Sequence, residues 1–229
     1  LDGSPELAYD WDTVASQVRR FDGTVSVNIA CLVGNSALRI CELGWDDAPA
    51  TSQAIANMRA MLREALEEGA FGLSSGLDYP PGSYASTEEL SELCVEAGRL
   101  GGIYHTHVRY WLGDQVLDPF REAFQISRAG ACPLHLTHFY YKEKYGIGHG
   151  AMFDLLEEEV NRGADVTFDV YPYPWASTRL TIFLPQWIQQ GGPEGTLRRL
   201  SDAASRARFL EEIAQDDADE TWRRSMTSV

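Results

Sequence analysis

Apolar residues recur along the chain with two alternating periods, which predict helices and strands in regular succession. Residues 11–18 carry apolar side chains at i, i+3, i+4 and i+7, typical of an amphipathic helix, and the run VSVNIACLV from Val25 to Val33 is typical of a buried strand. Helical stripes then alternate with short strand-like runs, which lie at residues 70–73, 103–107, 132–138 and 166–170. The pattern predicts a (βα)₄β order with short links.

Residues at the predicted helix ends support this order. Ser86 and Glu89 have the spacing of a capping box ahead of a helix, in which each residue would bond the other's backbone. Gly69 follows an apolar stripe where a C-terminal glycine belongs, and Pro119 suits the first turn of the next helix. The predicted helices therefore begin and end between the strands.

Strands that are almost continuously apolar, alternating with helices, indicate a parallel sheet in a doubly wound fold or a (β/α)₈ barrel. The segment after Val33 has neither a GxGxxG turn nor a P-loop, which favours the barrel. Five strands cannot close a barrel of eight, so we predict an incomplete TIM-type barrel over residues 1–200. A helix and an acidic tail are predicted over residues 201–229.

Composition narrows the function classes. The chain has 229 residues, a net charge of -15 and 44% hydrophobic residues, which predicts a globular protein that nucleic acid and anionic membranes would repel. No apolar stretch approaches the length of a membrane span, and the first residues do not resemble a signal peptide. We expect a cytoplasmic protein, because no CxxC spacing joins its four cysteines, Cys31, Cys41, Cys94 and Cys132.

Two histidines each close a predicted strand, in YHTHVR and PLHLTHF. His107 and His138 are 31 residues apart, which fits one βα unit. The C-terminal ends of parallel barrel strands meet at one mouth, so these imidazoles are expected to share a metal ion. A zinc ion held by neutral imidazoles activates water and polarises a carbonyl, which is the chemistry of amide hydrolysis. The sequence therefore predicts a zinc site at His107 and His138.

Two of the remaining histidines and one aspartate also lie near the predicted strand ends. His105 forms an HxH pair with His107, and we expect it to pack in the interior or support the metal ligands. His135 is three residues before His138, which on a strand predicts the opposite face, against the helices. His149 is expected in a loop. Asp169 ends a predicted strand and is a weak candidate for the catalytic base, although a structural carboxylate is the simpler interpretation.

Loops after the strands carry candidate substrate contacts. GLDYPPGS contains prolines and a glycine that fix a turn able to present Tyr79. The loop after residue 170 offers Tyr171 and Ser177 as pocket residues. Arg109 follows His107 and could bind an anion, or it could join a structural ion pair.

Several segments resemble, in order, the D-aminoacylase family of N-acyl-D-amino-acid deacylases in the amidohydrolase superfamily. They are GAFGLSSGLDYPPGSYASTEEL (69–90), GGIYHTHVR (101–109), PLHLTH (133–138) and GADVTFDVYPYPWAST (163–178). The resemblance implies a metal-bearing (β/α)₈ barrel that hydrolyses the amide between an acyl group and a D-amino acid, with one or two zinc ions. The strands here would be barrel strands three to seven, with His107 and His138 as the ligands on strands five and six.

The resemblance also implies what this chain lacks and where it departs. The family's HxH pair, its cysteine ligand and its catalytic aspartate fall outside residues 1–229. Asn35 stands where the family has a histidine, the glutamate expected near Trp111 is replaced, and Tyr140 stands where a lysine is expected to meet the substrate carboxylate. Lys142 or Lys144 could take over that role.

Three functions stay open at this stage. The first is metal-dependent hydrolysis of N-acyl-D-amino acids. The second is an amidohydrolase reaction on a cyclic amide or another nonpeptide amide, which Trp111 and Tyr140 suggest. The third is a noncatalytic split subunit whose barrel is completed by a partner chain or by segments outside this sequence.

Overall fold

Five parallel strands form the centre of the computed structural model, which describes residues 8–140, 148–173 and 177–215. Each strand pairs with the next one along the chain, so the sheet order is β1-β2-β3-β4-β5. The strands are β1 Leu32–Gly34, β2 Gly72–Gly76, β3 Ile103–His107, β4 Leu134–Leu136 and β5 Val166–Phe168. This order and the parallel pairing confirm the predicted α/β organisation.

Helices separate the strands as the sequence pattern predicts. In the described part of the chain they are α1 Val14–Val18, α2 Asn35–Leu43, α3 Ser52–Glu67, α4 Thr87–Arg99, α5 Asp118–Gly130, α6 His149–Asn161, α7 Gln186–Gln189, α8 Gly192–Ser201 and α9 Ala203–Gln215. Short 3₁₀ turns cover Arg19–Phe21, Gly82–Tyr84 and Leu180–Phe183. Within the described residues, no helix is long and apolar enough to cross a membrane.

The chain divides into two compact units, Leu1–Ser177 and Thr178–Val229. The first contains the sheet. In the second, Trp187 Nε1 donates to Glu212 Oε2 at 2.8 Å, and the Arg208 guanidinium lies 4.0 Å from the Trp187 ring centroid. The boundary between the two units follows Ser177, whereas the sequence predicted a boundary after residue 200. That the barrel segment extends over residues 1–200 stays a prediction.

The sheet has one face packed against helices and one face directed away from them, which we call the inner face. Leu73, Tyr104, Leu134 and Leu136 are at most 2% exposed and belong to one core cluster with residues of α3, α4 and α5. Because neighbouring strand residues point to opposite faces, His105, His107 and His135 lie on the inner face. The hydrophobic core therefore fixes which side chains reach the inner face.

Two local predictions are corrected by the structure. The first strand covers only Leu32–Gly34, because among the described residues its pairing with β2 is limited to these three positions, and Val25, Val27 and Ile29 are exposed. Ser86 caps α4 by accepting from the Glu89 N–H at 3.2 Å, but the Glu89 carboxylate accepts from Arg39 Nη1 at 2.5 Å. A buried ion pair with α2 thus replaces the second half of the predicted capping box.

Glu96 on α4 joins α4 to α3 through three arginines. Its side chain is 1% exposed, and it accepts from Arg63 Nε at 2.7 Å, Arg99 Nη2 at 2.6 Å and Arg59 Nη2 at 3.2 Å. The hydrogen bond from Arg63, followed by those from Arg99 and Arg59, overcomes the opposing effect of burial and lowers the pKa of Glu96 to about 2. Charge neutralisation at this position stabilises the packing of the two helices.

We predict that Glu96→Gln lowers the free energy of unfolding at pH 7 by about 1–3 kcal/mol, because it removes charged hydrogen bonds from a buried group. The folded-state pKa, about 2, is below the ordinary value of 4.5, so the stabilisation is complete above pH 4.5 and is lost as the pH falls toward 2. Urea unfolding at several pH values measures it. Glu92→Gln, at a half-exposed carboxylate paired only with Arg59 among the described ion pairs, is the control. Equal effects of the two variants would contradict the prediction.

Candidate functional site

His107 and His138 meet at the C-terminal ends of β3 and β4. His107 Nδ1 lies 2.9 Å from His138 Nε2, and the ring centroids are 4.6 Å apart at an interplanar angle of 79°. The structure thus brings together the two side chains that the sequence predicted as metal ligands. Their role as ligands stays a prediction.

The outer nitrogen of each imidazole has a hydrogen-bonding partner. His107 Nε2 lies 3.0 Å from Asp78 Oδ2, so its N–H donates to the carboxylate. His138 Nδ1 lies 3.2 Å from the Tyr110 hydroxyl, which also donates to the His138 carbonyl at 3.1 Å. If a cation bound the two inner nitrogens, the ring protons would lie on the outer nitrogens, where Asp78 and the Tyr110 hydroxyl can accept them.

Hydrogen bonds to the backbone hold His138 in an uncommon conformation. Its φ is +41°, in the left-handed region, and its N–H donates to Asp169 Oδ1 at 2.6 Å. Burial, followed by the nearby His107, lowers the pKa of His138 to about 4, so the imidazole is neutral at neutral pH. A neutral imidazole is the form that binds metal ions.

Asp169 connects several groups at the end of β5. Its Oδ1 accepts from His138 N–H, and its Oδ2 lies 3.1 Å from His135 Nε2. Burial opposes ionisation, but the hydrogen bonds from His138 and His135 lower the pKa of Asp169 below its ordinary value. This geometry supports a positioning role, and catalysis by Asp169 stays a prediction.

Tyrosine rings surround the histidine pair. The Tyr79 centroid is 5.2 Å from that of His107, and the Tyr171 ring stacks on His138 at 5.4 Å and 20°. Tyr140 lies 5.7 Å from His138. Tyr79 and Tyr171 are therefore placed where the sequence predicted substrate contacts, whereas Ser177 is exposed and its predicted contact is untested. Lys142 and Lys144 lie outside the described residues.

Arg109 is buried, and its guanidinium is occupied by protein groups. Its Nε donates to Glu122 Oε2 at 3.1 Å, Nη1 to the Ser83 carbonyl at 2.6 Å and Nη2 to the Ala85 carbonyl at 2.7 Å. At 5% exposure, it has the geometry of a structural ion pair. The structure thus shows the ion pair that the sequence left open as an alternative, with the Arg109 charge paired to Glu122. The predicted substrate contact of Arg109 stays a prediction.

The residues that depart from the family pattern have distinct surroundings. Asn35 is 1% exposed and its Nδ2 donates to the Gly82 carbonyl at 3.2 Å, next to the loop that carries Asp78. Trp111 is exposed, with the Arg109 guanidinium 5.2 Å from its ring centroid. Tyr140 packs on Tyr110 with centroids 5.6 Å apart. Tyr140 also contacts the histidine pair, with its ring centroid 5.7 Å from that of His138.

His135 is on the inner face, which corrects its predicted position against the helices. It is opposite His105 in the strand register, and the two ring centroids are 4.6 Å apart. The prediction counted alternation from His138, but β4 ends at Leu136 and the chain turns through the left-handed His138. The alternation rule fails beyond the end of the strand.

Two residues of the site were not identified from the sequence, Asp78 and Tyr110. Asp78 contacts His107 and also accepts from the Tyr110 N–H at 3.1 Å. Both residues adjoin positions that the sequence did single out, Tyr79 and Arg109. An acidic residue in a loop after a barrel strand is the signal that could have identified Asp78.

The histidine pair fits a zinc ion. Tetrahedral coordination with zinc–nitrogen distances of about 2.0–2.1 Å places two ligand nitrogens about 3.3 Å apart. The observed 2.9 Å requires only a small separation of the rings. Asp78, as the acceptor for the outer nitrogen of His107, is the kind of partner that orients metal-binding histidines.

The curated proteins similar to this chain are all named as D-aminoacylase or as deacylases of N-acyl-D-amino acids. D-aminoacylase from Alcaligenes xylosoxydans xylosoxydans is 37% identical over 155 residues, covering 68% of this chain and 32% of the relative. N-acyl-D-aspartate deacylase from the same organism is 34% identical over 225 residues, covering 93% of this chain and 44% of the relative. This chain belongs to the D-aminoacylase family. No protein-family model matches it.

Solved structures of the D-aminoacylase family confirm the fold class. A crystal structure of D-aminoacylase, described as defining a novel subset of amidohydrolases, superposes with a TM-score of 0.63 at 33% identity, covering 70% of this chain and 34% of that one. N-acyl-D-glutamate deacylase from Bordetella bronchiseptica, complexed with zinc and a phosphonate inhibitor, gives 0.62 at 27% identity, covering 71% and 34%. The parallel sheet is part of an amidohydrolase barrel, and the chain spans 32–44% of the length of the curated relatives it matches.

We predict that Asp78→Asn weakens zinc binding at the His107–His138 pair about 10–100-fold, because the amide no longer stabilises the protonated outer nitrogen of His107. Competition titration with a fluorescent chelator measures the zinc affinity. The binding event that is lost in His107→Ala is assigned to the His107–His138 pair. Asp154→Asn, at an exposed position on α6, is the matched control and should bind zinc like the unchanged protein. Unaltered affinity in Asp78→Asn would contradict the orienting role of Asp78.

Proposed function

We propose that this chain belongs to a zinc-dependent hydrolase that cleaves the amide bond of N-acyl-D-amino acids. The observation that carries the proposal is the convergence of His107 Nδ1 and His138 Nε2, 2.9 Å apart, with both outer nitrogens bound by Asp78 and Tyr110. The relatives named D-aminoacylase, N-acyl-D-aspartate deacylase and N-acyl-D-glutamate deacylase support the reaction class.

Zinc would be held by His107 and His138 and would supply a Lewis acid for the amide carbonyl. Other residues of the chain would orient the two histidines. Asp78 would accept the proton of His107 Nε2, and Tyr110 would orient His138, so that the two inner nitrogens could face one ion. Asp169 fixes the backbone that carries His138.

The proton transfer of amide hydrolysis needs a base whose carboxylate is free to face the reacting water. Both carboxylates beside the pair are occupied: Asp78 by His107 and the Tyr110 N–H, and Asp169 by the His138 N–H and His135. We therefore propose that the base is the family's aspartate, which the resemblance assigns outside this chain. The described residues would supply ligands and substrate contacts.

Tyrosines dominate the substrate side of the proposed site. Tyr79, Tyr140 and Tyr171 offer rings and hydroxyls near the pair, while Arg109 is neutralised by Glu122. An amide substrate would thus contact aromatic surface and neutral donors. This composition also favours the second candidate, a cyclic or nonpeptide amide without a free carboxylate.

Charge and cysteine chemistry support the proposals for partner and location. The charge of -15 supports a small-molecule substrate over nucleic acid or an anionic membrane surface. The four cysteines are free, which supports a cytoplasmic location. A partner chain, or segments outside this sequence, would complete the barrel and its metal site.

We expect the protein, assayed with the segments or partner that complete its barrel, to hydrolyse N-acyl-D-amino acids and not their L-isomers. His138→Ala should lower kcat/KM by a factor of about 100 or more, because it removes a metal ligand. His149→Ala, an exposed change on α6, is the control. Product amine release over a panel of acyl-D-amino acids and cyclic amides measures the reaction.

Hydrolysis of cyclic amides alone would replace the first proposal with the second. Absence of any hydrolysis, with zinc still bound, would reject both and leave the noncatalytic subunit. Zinc content with and without a co-purified partner then decides whether the partner supplies the missing ligands.

A further inference from the structure

A second group of potential ligands lies on the inner face of the sheet, apart from the His107–His138 pair. Strand register places His105 directly opposite His135, and His135 opposite Thr167. Asp169 follows two residues after Thr167 and reaches back toward this row. Three strands therefore bring two imidazoles and one carboxylate to one place.

The donor atoms of this group are close enough to share one ion. One ligand atom from each of His105, His135 and Asp169 lies within 4.8 Å of the others. His135 Nε2 is 3.1 Å from Asp169 Oδ2, and the two rings meet edge to face with centroids 4.6 Å apart. Small side-chain movements would bring the three atoms to coordination distance, about 2.0–2.2 Å from a central zinc ion.

Neighbouring hydroxyls and a backbone N–H anchor all three side chains. His105 Nε2 lies 2.7 Å from Thr137 Oγ1, and His135 Nδ1 lies 2.8 Å from Thr167 Oγ1. The Thr167 contact leaves His135 Nε2 directed at Asp169. The carboxylate is in turn anchored through Oδ1 by the His138 N–H, while Oδ2 faces His135 Nε2, so an ion bound here would take the place of the Oδ2–His135 hydrogen bond. Such supporting contacts are typical of built metal sites.

We propose that His105, His135 and Asp169 bind a divalent transition-metal ion of the zinc, cobalt or iron(II) class. Two imidazole nitrogens and one carboxylate oxygen suit these ions, whereas magnesium and calcium prefer oxygen ligands throughout. Three protein ligands would leave a coordination position for water or another small ligand. The site is distinct from the His107–His138 pair and does not rest on the proposed hydrolase function.

Asp169 joins the two places physically. One carboxylate oxygen faces the proposed ion and the other holds the His138 backbone, so an ion on the inner face would fix the carboxylate that positions His138. An ion at the inner site would thus stabilise the ends of β4 and β5, which carry His138 and Asp169. Asp169 is a positioning residue in this proposal.

The test is a cobalt(II) titration of the full chain after metal removal, followed by absorbance and by elemental analysis. His107→Ala/His138→Ala removes the pair of the proposed hydrolase site, and we expect this variant to retain one bound cobalt ion. Adding His105→Ala and His135→Ala should abolish that binding. His149→Ala is the control and should bind cobalt like the unchanged chain.

Thr167→Val provides a milder test that spares every ligand. It removes the hydroxyl beside His135 Nδ1, and we expect the cobalt affinity of the inner site to fall about 10-fold or more with unchanged stoichiometry. Thr167→Ser should restore the affinity. Circular dichroism establishes that each variant is folded.

The proposal is overturned if His107→Ala/His138→Ala binds no cobalt, or if His105→Ala/His135→Ala binds as many ions as the unchanged chain with the same spectrum. Loss of an ion in His105→Ala/His135→Ala alone supports the inner site. Loss in His107→Ala/His138→Ala alone supports only the pair. The two proposals therefore fail separately.

Discussion

The hydrogen bond from the His138 N–H to Asp169 Oδ1, 2.6 Å long, is the contact on which the candidate site most depends. It joins the end of β5 to the residue that follows β4 and holds that residue at a φ of +41°. In this conformation the imidazole turns from the strand direction toward His107. The carboxylate thus acts on the site through the backbone, and the hydrophobic core on the other face keeps both strand ends in register.

Much of the fold was predictable because its determinants are local. Apolar periodicity and helix-end residues predicted the strand and helix order, and the position of His107 and His138 at successive strand ends predicted their meeting. Asp78 was not predictable in this way, since 29 residues separate it from His107 and no periodic pattern links them. His135 was misplaced because alternation was extended beyond Leu136, where the strand ends. Glu89 was assigned to a local cap although a buried arginine competes for it.

The similar proteins identify the family of the chain, and the side-chain geometry describes one part of a site within it. Similarity over 68–93% of this chain identifies the family, while the matched part is a minority of each relative. The described residues contain part of a barrel site: two imidazoles, the side chains that orient them and the tyrosines around them. Within this part of the site, protein groups contact the outer nitrogens and hold the His138 backbone.

Arg109 fastens the loop after β2 to α5, since it bonds Ser83 and Ala85 on one side and Glu122 on the other. The segment that carries Asp78 and Tyr79 is thereby connected to the outer helix layer by a buried contact. The position of this segment therefore depends on a buried ion pair with α5, so substitutions among the tyrosines around the histidine pair would leave its attachment to the helix layer unchanged.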